Sequence, residues 1–387
     1  MSAPVPPTAD DPSASAAAFT ARLLPLLPLL APGEKDPAEQ NMVCSPVSAR
    51  IALTPLALGA RTETLDQLET ALGADAESLA AQAMALREAL EQIGAPAQAA
   101  LVDAFWLQSG IHLEGGFRDR LVHELRARPG SADFTRAEGR ARARDEINAL
   151  VEEATDGLIT DLVGPDGLSP HLLLVLIDAL HVRAPWTAPL ARTRGEFTTA
   201  RGERVETDLL TGTGAGWSEG ELWEASSLRT VGGALSLVLV RPRTGPEALL
   251  AAWAADPAAL VGLLAELRTP REAVRLSVPP LDLRWSGDLT GALAGLGAGP
   301  VLRPGADLSG IAEDPRLHLS LVLQQAVLRV DEEGMEAAAA TLVAARTAAA
   351  VPSRTLALDV PFLALVVETG TGTPLVVARI GDPTAAA

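Results

Sequence analysis

Apolar positions in the first half of the chain recur mainly at helical spacing. The stretch RTETLDQLETALG places leucines three or four residues apart and stops at Gly73, which predicts a helix that begins at a threonine cap. A second helix is predicted from Ser45, where a Ser-Pro pair supplies a cap and a first-turn proline, to Gly59. A third pattern, over residues 137–159, includes Ile147 and Val151.

The second half of the chain is dominated by strand patterns. The continuous apolar run LLLVLIDALHV at residues 172–182 predicts a buried central strand. Further strands are predicted in GALSLVLVRP, AVRLSVPPLDLRW, HLSLVLQQAVLRV, ALDVPFLALVVE and TPLVVARIGDP. Helices followed by strands, with a few helical inserts and no regular alternation, predict the α+β class.

The segment DEEGMEAAAATLVAARTAAAVPS at residues 331–353 permits two interpretations. Alanine is the strongest helix former, so a surface helix over residues 336–350 is one of them. The other is a strand, in which alternate side chains point to opposite faces. Counted in steps of two from Met335, one face carries no charge before Ala348, and Glu336 and Arg346 both fall on the opposite face.

Composition narrows the classes of function. The chain has 387 residues, is 48% hydrophobic and carries a formal net charge of −18, which argues against nucleic-acid and anionic-membrane partners. Cys44 is the only cysteine, so an intrachain disulfide and a thiolate metal site are excluded. We interpret Cys44 as a small buried hydrophobe rather than a nucleophile.

The N-terminal segment shows no targeting signal. Residues 1–14 are rich in Pro, Ser and Asp and predict a disordered leader. They lack the positive start and apolar run of a signal peptide, so we expect a cytoplasmic protein, with an extracellular one as the alternative. The run RLLPLLPLLAP is too short and too interrupted by prolines to span a membrane.

No catalytic motif stands out. None of the five histidines lies in a recognisable catalytic setting, and no G-x-S-x-G element is present. The glycine-rich TGTGAG at residues 211–216 lacks the lysine of a phosphate-binding loop, and we interpret it as an ordinary loop. We therefore expect a protein that is not an enzyme and that uses no cofactor or metal.

Four motifs occur in an order that resembles the serpin family. They are NMVCSPVSARIALTPLALGARTETLDQLETALG, LLLVLIDALHVRAPW, VDEEGMEAAAAT and DVPFLALVVETGTGTPLVVARIGDP. The resemblance covers roughly residues 15–384. It implies one α+β domain over residues 15–387, with three β-sheets, about eight or nine helices and an exposed reactive loop at about residues 334–358.

The resemblance also implies inhibition of serine proteases by a suicide mechanism. A protease cleaves the reactive loop and forms an acyl-enzyme, and the upstream part of the loop inserts into the largest sheet. The hinge of this loop corresponds to Glu332, Gly334, Met335, Ala337, Ala338, Ala339 and Ala340. We expect a monomer. A non-inhibitory carrier, chaperone or scaffold with the same fold is the alternative, and an unrelated peptide- or ligand-binding α+β protein is a remoter one.

The usual spacing of the family places the scissile bond between Ala348 and Ala349. These small residues favour an elastase-like or subtilisin-like target. Cleavage between Arg346 and Thr347 is the alternative, and it would favour a trypsin-like target with a carboxylate in its specificity pocket.

Several positions depart from the family pattern. Met335 replaces a smaller Thr or Ser, and the lysine that often pairs with the hinge glutamate is replaced by Pro280, so we expect Glu332 to lack a partner. The family's Asn and His at the opening point of the sheet correspond to Asp178 and Gln324, and we hypothesise a replacement hydrogen bond between them. We assign the sheet-opening cluster to Ser45, Ser48, Asp178, Gln324 and Trp186.

Overall fold

The computed structural model describes residues 12–30, 40–269, 272–335, 352 and 354–385. Nine α-helices occur in this part of the chain: α1 (Pro12–Leu23), α2 (Pro46–Gly59), α3 (Thr62–Leu72), α4 (Ala76–Glu91), α5 (Gly115–Asp119), α6 (Ala137–Ala154), α7 (Pro246–Ala255), α8 (Ala258–Arg268) and α9 (Thr290–Leu293).

Fifteen strands occur in the same described residues: β1 (Met42–Cys44), β2 (Gln98–Gln108), β3 (Arg128–Ala132), β4 (Leu174–Pro185), β5 (Ala191–Thr198), β6 (Arg204–Glu219), β7 (Trp223–Arg229), β8 (Leu235–Pro242), β9 (Ala273–Val278), β10 (Leu281–Asp288), β11 (Leu319–Val330), β12 (Gly334–Met335), β13 (Arg354–Ala357), β14 (Phe362–Glu368) and β15 (Thr373–Ile380). The predicted α+β class is confirmed.

Helix α2 is stabilised by a capped first turn and by burial of its side chains on all sides. The side chain of Ser45 accepts a hydrogen bond from the backbone N–H of Ser48, and Pro46 occupies the first helical position. Every residue of α2 is buried, so it is a core helix between the sheets. Helix α3 ends at Gly73 in the left-handed conformation, as predicted, but its N-cap is Arg61, so the predicted threonine cap is wrong.

The main sheet has six strands in the order β10-β11-β12-β4-β2-β3. Side chains of β4 alternate between its two faces: Leu180 and Val182 enter the core that contains α2, whereas Val175 and Ile177 pack with residues of α6 on the other face. Both faces of β4 are covered, which explains its continuous apolar sequence.

The second sheet has nine strands, with the path β1-β15-β14-β8-β7-β6-β9-β13 and β5 paired to β6. The resemblance implied three sheets, whereas the described strands form two hydrogen-bonded networks. The 16-residue strand β6 explains the difference, because it pairs with β5, β7 and β9 and so joins two layers into one network.

The glycine-rich segment at residues 211–216 lies within β6, so its interpretation as a loop is wrong. A Cβ atom at Gly212 would lie 2.4 Å from Leu190, and one at Gly214 would lie 2.4 Å from Leu276. These glycines are therefore required by the close approach of leucine side chains to the strand, and they do not mark a turn.

The N-terminal boundary also differs from the prediction. Helix α1 begins at Pro12, so residues 12–14 belong to a helix and not to a leader, while residues 1–11 lie outside the described residues. No single described helix is long and apolar enough to cross a membrane; α7 and α8, bent by 105° relative to each other, reach that length and composition only together.

We predict that Gly214→Ala lowers the free energy of unfolding by about 1–3 kcal/mol, because the new methyl group overpacks against Leu276. Gly116→Ala is the matched control: no atom lies within 4 Å of its added Cβ, so a change within about 1 kcal/mol is expected. Urea denaturation midpoints measure both effects. Equal midpoints for the two variants would contradict the packing argument.

Candidate functional site

The main sheet contains a seam, defined here as the boundary between β4 and β11. The two strands pair directly and in parallel from Leu319 opposite Leu174 to Ala326 opposite Leu180. Beyond that point they separate, and the two-residue strand β12 lies between them. Strand β12 runs antiparallel to both of its neighbours. The sheet therefore already holds the beginning of an extra strand.

The turn that leads into β12 is held by hydrogen bonds on both sides. The Oδ1 atom of Asp331 accepts from the backbone N–H of Glu333 at 2.8 Å and from that of Gly334 at 3.0 Å. Trp186 donates from its ring Nε1 to the carbonyl of Asp331 at 2.9 Å and from its backbone to the carbonyl of Glu333 at 2.8 Å. Leu190 donates its backbone N–H to the carbonyl of Glu332 at 2.8 Å.

Gly334 and Met335 occupy β12 for different physical reasons. A Cβ atom at Gly334 would lie 2.5 Å from the carbonyl oxygen of Ala184, so only glycine fits against the backbone of β4. Met335 is 1% exposed and packs into the same core as Ala184 and Val330. The set of side chains counted from Met335 therefore starts on the interior face, as the alternation predicts.

The remaining loop residues of the sequence analysis lie outside the described residues. These are the hinge alanines and both candidate cleavage positions: Ala337, Ala338, Ala339, Ala340, Arg346, Thr347, Ala348 and Ala349. Their assignments stay predictions.

The expectation that Glu332 lacks a partner is wrong. Arg192, on β5, donates hydrogen bonds to both carboxylate oxygens of Glu332, with 2.7 Å between Nη2 and Oε2, and it also binds Asp208 on β6. The bonds from Arg192 lower the pKa of Glu332 to about 2. An arginine from a neighbouring strand thus replaces the lysine that the family places elsewhere.

In the part of the seam where β4 and β11 pair directly, a buried cluster of polar side chains connects the two strands. Gln324, on β11, donates from Nε2 to Oδ2 of Asp178, on β4, at 2.5 Å, so the hypothesised hydrogen bond is present. Ser48 donates to the same oxygen at 2.7 Å. The amide of Gln324 also exchanges hydrogen bonds with the backbone of Ser45: its Oε1 accepts from the N–H at 3.0 Å, and its Nε2 donates to the carbonyl at 2.8 Å.

The four members of this cluster are all at most 1% exposed. Gln324 belongs to one side of the seam and Asp178 to the other. Separation of the strands must therefore break the hydrogen bond between them before water can enter and replace it. Each such bond contributes about 1 kcal/mol when intact and costs more when one partner is left buried and unpaired. We call Ser45, Ser48, Asp178 and Gln324 the seam cluster.

Trp186 does not belong to the seam cluster, contrary to the sequence assignment. It lies eight residues beyond Asp178 and directly follows the end of β4, about 26 Å away at roughly 3.3 Å per residue. Its contacts are with the β12 turn and, through an isolated bridge, with Thr230. Trp186 therefore positions the hinge and takes no part in the hydrogen bonds of the seam cluster.

Two further side chains adjoin the seam cluster. Asp103, on β2, lies directly opposite Asp178 in the strand register, and Arg87, on α4, forms an ion pair with Asp103. Sequence reasoning missed both, because β2 was not distinguished from the helical patterns around it. The one signal available was the isolated aspartate in the apolar stretch ALVDAFWL.

In the part of the chain that the structure describes, neither a reactive thiol nor a metal-binding cluster is found near the seam. Cys44 is buried in β1, and burial raises the pKa of its thiol, so it remains protonated and behaves as a small hydrophobe. Among the described residues, no group of three or more His, Cys, Asp and Glu side chains is arranged to hold a metal ion.

In this structure, the two-residue strand β12 lies between β4 and β11, next to a seam that side-chain hydrogen bonds hold closed. A family model described as "Serpin (serine protease inhibitor)" matches residues 16–383. The chain therefore belongs to the serpin family, a family of protease inhibitors that also includes members without inhibitory activity.

Relatives and solved structures agree with this assignment. A "Serine protease inhibitor" from Cyanea capillata is 29% identical, covering 92% of this chain and 95% of the relative. Serpin-Z2A from Oryza sativa subsp. japonica is also 29% identical, with 90% and 92% covered.

Two solved structures show the same fold. Arabidopsis AtSerpin1 in its native stressed conformation has a TM-score of 0.84 and 21% identity, covering 98% of this chain and 100% of that chain. Human thyroxine-binding globulin has a TM-score of 0.83 and 23% identity, with the same coverage.

We predict that Arg192→Gln lowers native stability by less than about 1 kcal/mol at pH 6, because Arg192 and Glu332 are 43% and 33% exposed. The pKa of Glu332 is lowered on folding, so its contribution is present above its unfolded value of about 4.3 and is lost as pH falls through about 2. The stability difference between wild type and variant should therefore disappear at about pH 2.

Urea midpoints of both proteins at pH 6 and near pH 2 measure this difference. Arg194→Gln is the matched control, because Arg194 is 80% exposed on the same strand and pairs with Asp208 and not with Glu332. An Arg192→Gln effect that persists unchanged at the lower pH would show that the ion pair with Glu332 is not its cause.

Proposed function

We propose that this protein inhibits serine-type endopeptidases by suicide cleavage of a reactive loop, followed by insertion of that loop into the main sheet. The observation that carries the proposal is β12, because the first two loop residues already pair with β4 and β11. Insertion would then extend an existing strand and would not have to begin a new one.

Continuation of the β12 register supports this proposal at the first charged loop residue. Met335 lies opposite Ala184 and Val330, so one step further would place Glu336 between Arg183 of β4 and Arg329 of β11. These positions alternate to the outer face of the sheet, where Arg183 and Arg329 line a cleft of about 440 Å³. A carboxylate would thus enter between two guanidinium groups.

The same register supports insertion at the seam cluster. Six residues beyond Met335, it would place Thr341 between Asp178 and Gln324, on the interior face. A threonine hydroxyl both donates and accepts hydrogen bonds, so it suits the carboxyl and amide groups that separate when the strand enters. The Asp178 to Gln324 bond would then be exchanged for two new contacts and not simply lost.

The energetic benefit comes from backbone pairing. Parallel pairing of β4 with β11 would be replaced by two antiparallel ladders, one on each side of the inserted strand. In the uncut protein, the loop is tied at both ends, at β12 and at β13. Cleavage of one bond in the loop would remove this restraint, and the relaxation could then displace and distort the attached protease.

We predict that Ala337→Asp converts the protein from an inhibitor into a substrate, whereas Ala338→Asp leaves inhibition nearly unchanged. In the inserted strand, position 337 would fall on the interior face set by Met335, where an unpaired charge would cost several kcal/mol, and position 338 would fall on the outer face. A barrier raised by that amount slows insertion more than about tenfold.

The stoichiometry of inhibition, the number of inhibitor molecules consumed per protease inactivated, measures this partition. It should rise at least several-fold for Ala337→Asp and stay close to wild type for Ala338→Asp. Because the two variants carry the same side chain at adjacent positions, equal values would refute the assignment of faces.

We also predict an SDS-stable adduct with an elastase-like or subtilisin-like protease. Mass spectrometry of the released C-terminal peptide should begin at Ala349; a peptide that begins at Thr347, together with an adduct formed by trypsin, would assign the bond after Arg346. Arg346→Ala should leave the elastase adduct intact and abolish any trypsin adduct. Complete digestion of the loop by both enzymes without an adduct would reject inhibition and favour a non-inhibitory member of the fold.

A further inference from the structure

Two buried carboxyl groups face each other across β2 and β4. Asp103 and Asp178 are direct partners in the strand register and are 5% and 0% exposed. Each has one oxygen in use: Oδ2 of Asp103 binds Arg87, and Oδ2 of Asp178 accepts from Gln324 and Ser48. In the described residues, the Oδ1 atoms of both aspartates are buried without a hydrogen-bond partner.

Among the described residues, Arg87 is the one cation bound to this pair; Arg126 and Arg128 line the same cleft but are exposed, and Arg126 pairs with Glu91. Arg87 comes from α4, Ser48 from α2, Ser45 from the N-cap of α2 and Gln324 from β11. On β10, the residue opposite Gln324 is Gly287, which has no side chain. Two ionised carboxylates would therefore leave one uncompensated negative charge in the interior, where such a charge is strongly disfavoured.

We propose that Asp178 carries a proton at neutral pH and shares it with Asp103. A proton on Oδ1 of Asp178 turns one of the two unpaired acceptors into a donor, which the carboxyl group of the neighbouring Asp103 can accept. The cluster then consists of Arg87 as a cation, one carboxylate and one neutral carboxylic acid, with no net charge. This inference concerns the uncut native protein and holds whether or not the loop inserts.

The electrostatic environment supports this charge state. Burial and the neighbouring Asp103 raise the pKa of Asp178 well above its usual range, and they outweigh the hydrogen bonds from Gln324 and Ser48, which lower it. Burial also raises the pKa of Asp103, opposed by Arg87. The proton has a route to solvent, because Arg87 and Asp103 line a cleft of about 310 Å³.

The proposal predicts the direction in which the stability of the native state changes with pH. A carboxyl group whose pKa is raised on folding binds a proton in the native state that the unfolded chain has released. Its stabilising contribution is complete below the unfolded pKa of about 4 and is lost as pH rises toward the folded pKa. Over this range, the release of this one proton on unfolding raises the unfolding equilibrium constant about tenfold per pH unit.

The charge state is tested directly by infrared spectroscopy of the intact protein at pH 7. Exposed carboxyl groups are ionised at this pH, so a carbonyl stretch of a neutral carboxylic acid reports a buried protonated group. We expect such a band in the wild type, its loss in Asp178→Asn, and its persistence in Asp166→Asn, an exposed aspartate used as the matched control. The absence of the band in the wild type would overturn the proposal without any variant.

Stability measurements provide the second test. The measured quantity is the slope of the logarithm of the unfolding constant against pH between pH 5 and 7. This slope should be smaller by about one in Asp178→Asn than in the wild type, because an asparagine amide takes up no proton. Asp166→Asn should keep the wild-type slope. If Asp178→Asn keeps it as well, the native state does not hold the extra proton and the proposal is wrong.

Discussion

The structure depends on the side-chain hydrogen bonds that hold β4 against β11. A parallel pair in the centre of a sheet is ordinarily a permanent part of the core, whereas the proposed insertion requires this pair to stay closed in the uncut protein and to open after cleavage. The seam cluster satisfies both requirements. Its bonds are buried and therefore stabilising, but they are few and are concentrated at Asp178 and Gln324, which bind Ser48 in the first turn of α2 and Ser45 at its N-cap. Apolar interdigitation along the whole seam would close it more firmly and would leave no preferred point of opening.

The hinge determines where a new strand would begin. Starting a strand inside a sheet requires the neighbours to separate before any new hydrogen bond is gained. In this protein, the neighbouring strands are already separated at β12, where Gly334 fits against the backbone of β4 and Met335 reaches the core. Asp331 orders the turn, and Trp186 and the Arg192 to Glu332 pair hold it on the sheet. Under the proposed mechanism, the inserted strand would therefore extend β12.

Much of the fold was predictable where local patterns are strong. Ser45 and Gly73 marked helix boundaries, and the apolar run of β4 indicated a strand covered on both faces. The Asp178 to Gln324 bond was predictable because two departures from one family pattern were chemically complementary. Other features depend on tertiary contacts and have no local signal. Gly212 and Gly214 resemble a loop until the leucines that pack on them are known. Arg192 and Glu332 are 140 residues apart, and nothing in the sequence pairs them.

The central claim is that the uncut protein is kept from its most stable arrangement by the tether at both ends of the loop. Thermal unfolding of the intact protein and of the same protein cut once in the loop tests this claim most directly. If the loop inserts and completes the main sheet, the cut protein melts at a temperature many degrees higher than the intact one, although it has one covalent bond fewer. A cut protein that melts at the same temperature or lower would contradict the account.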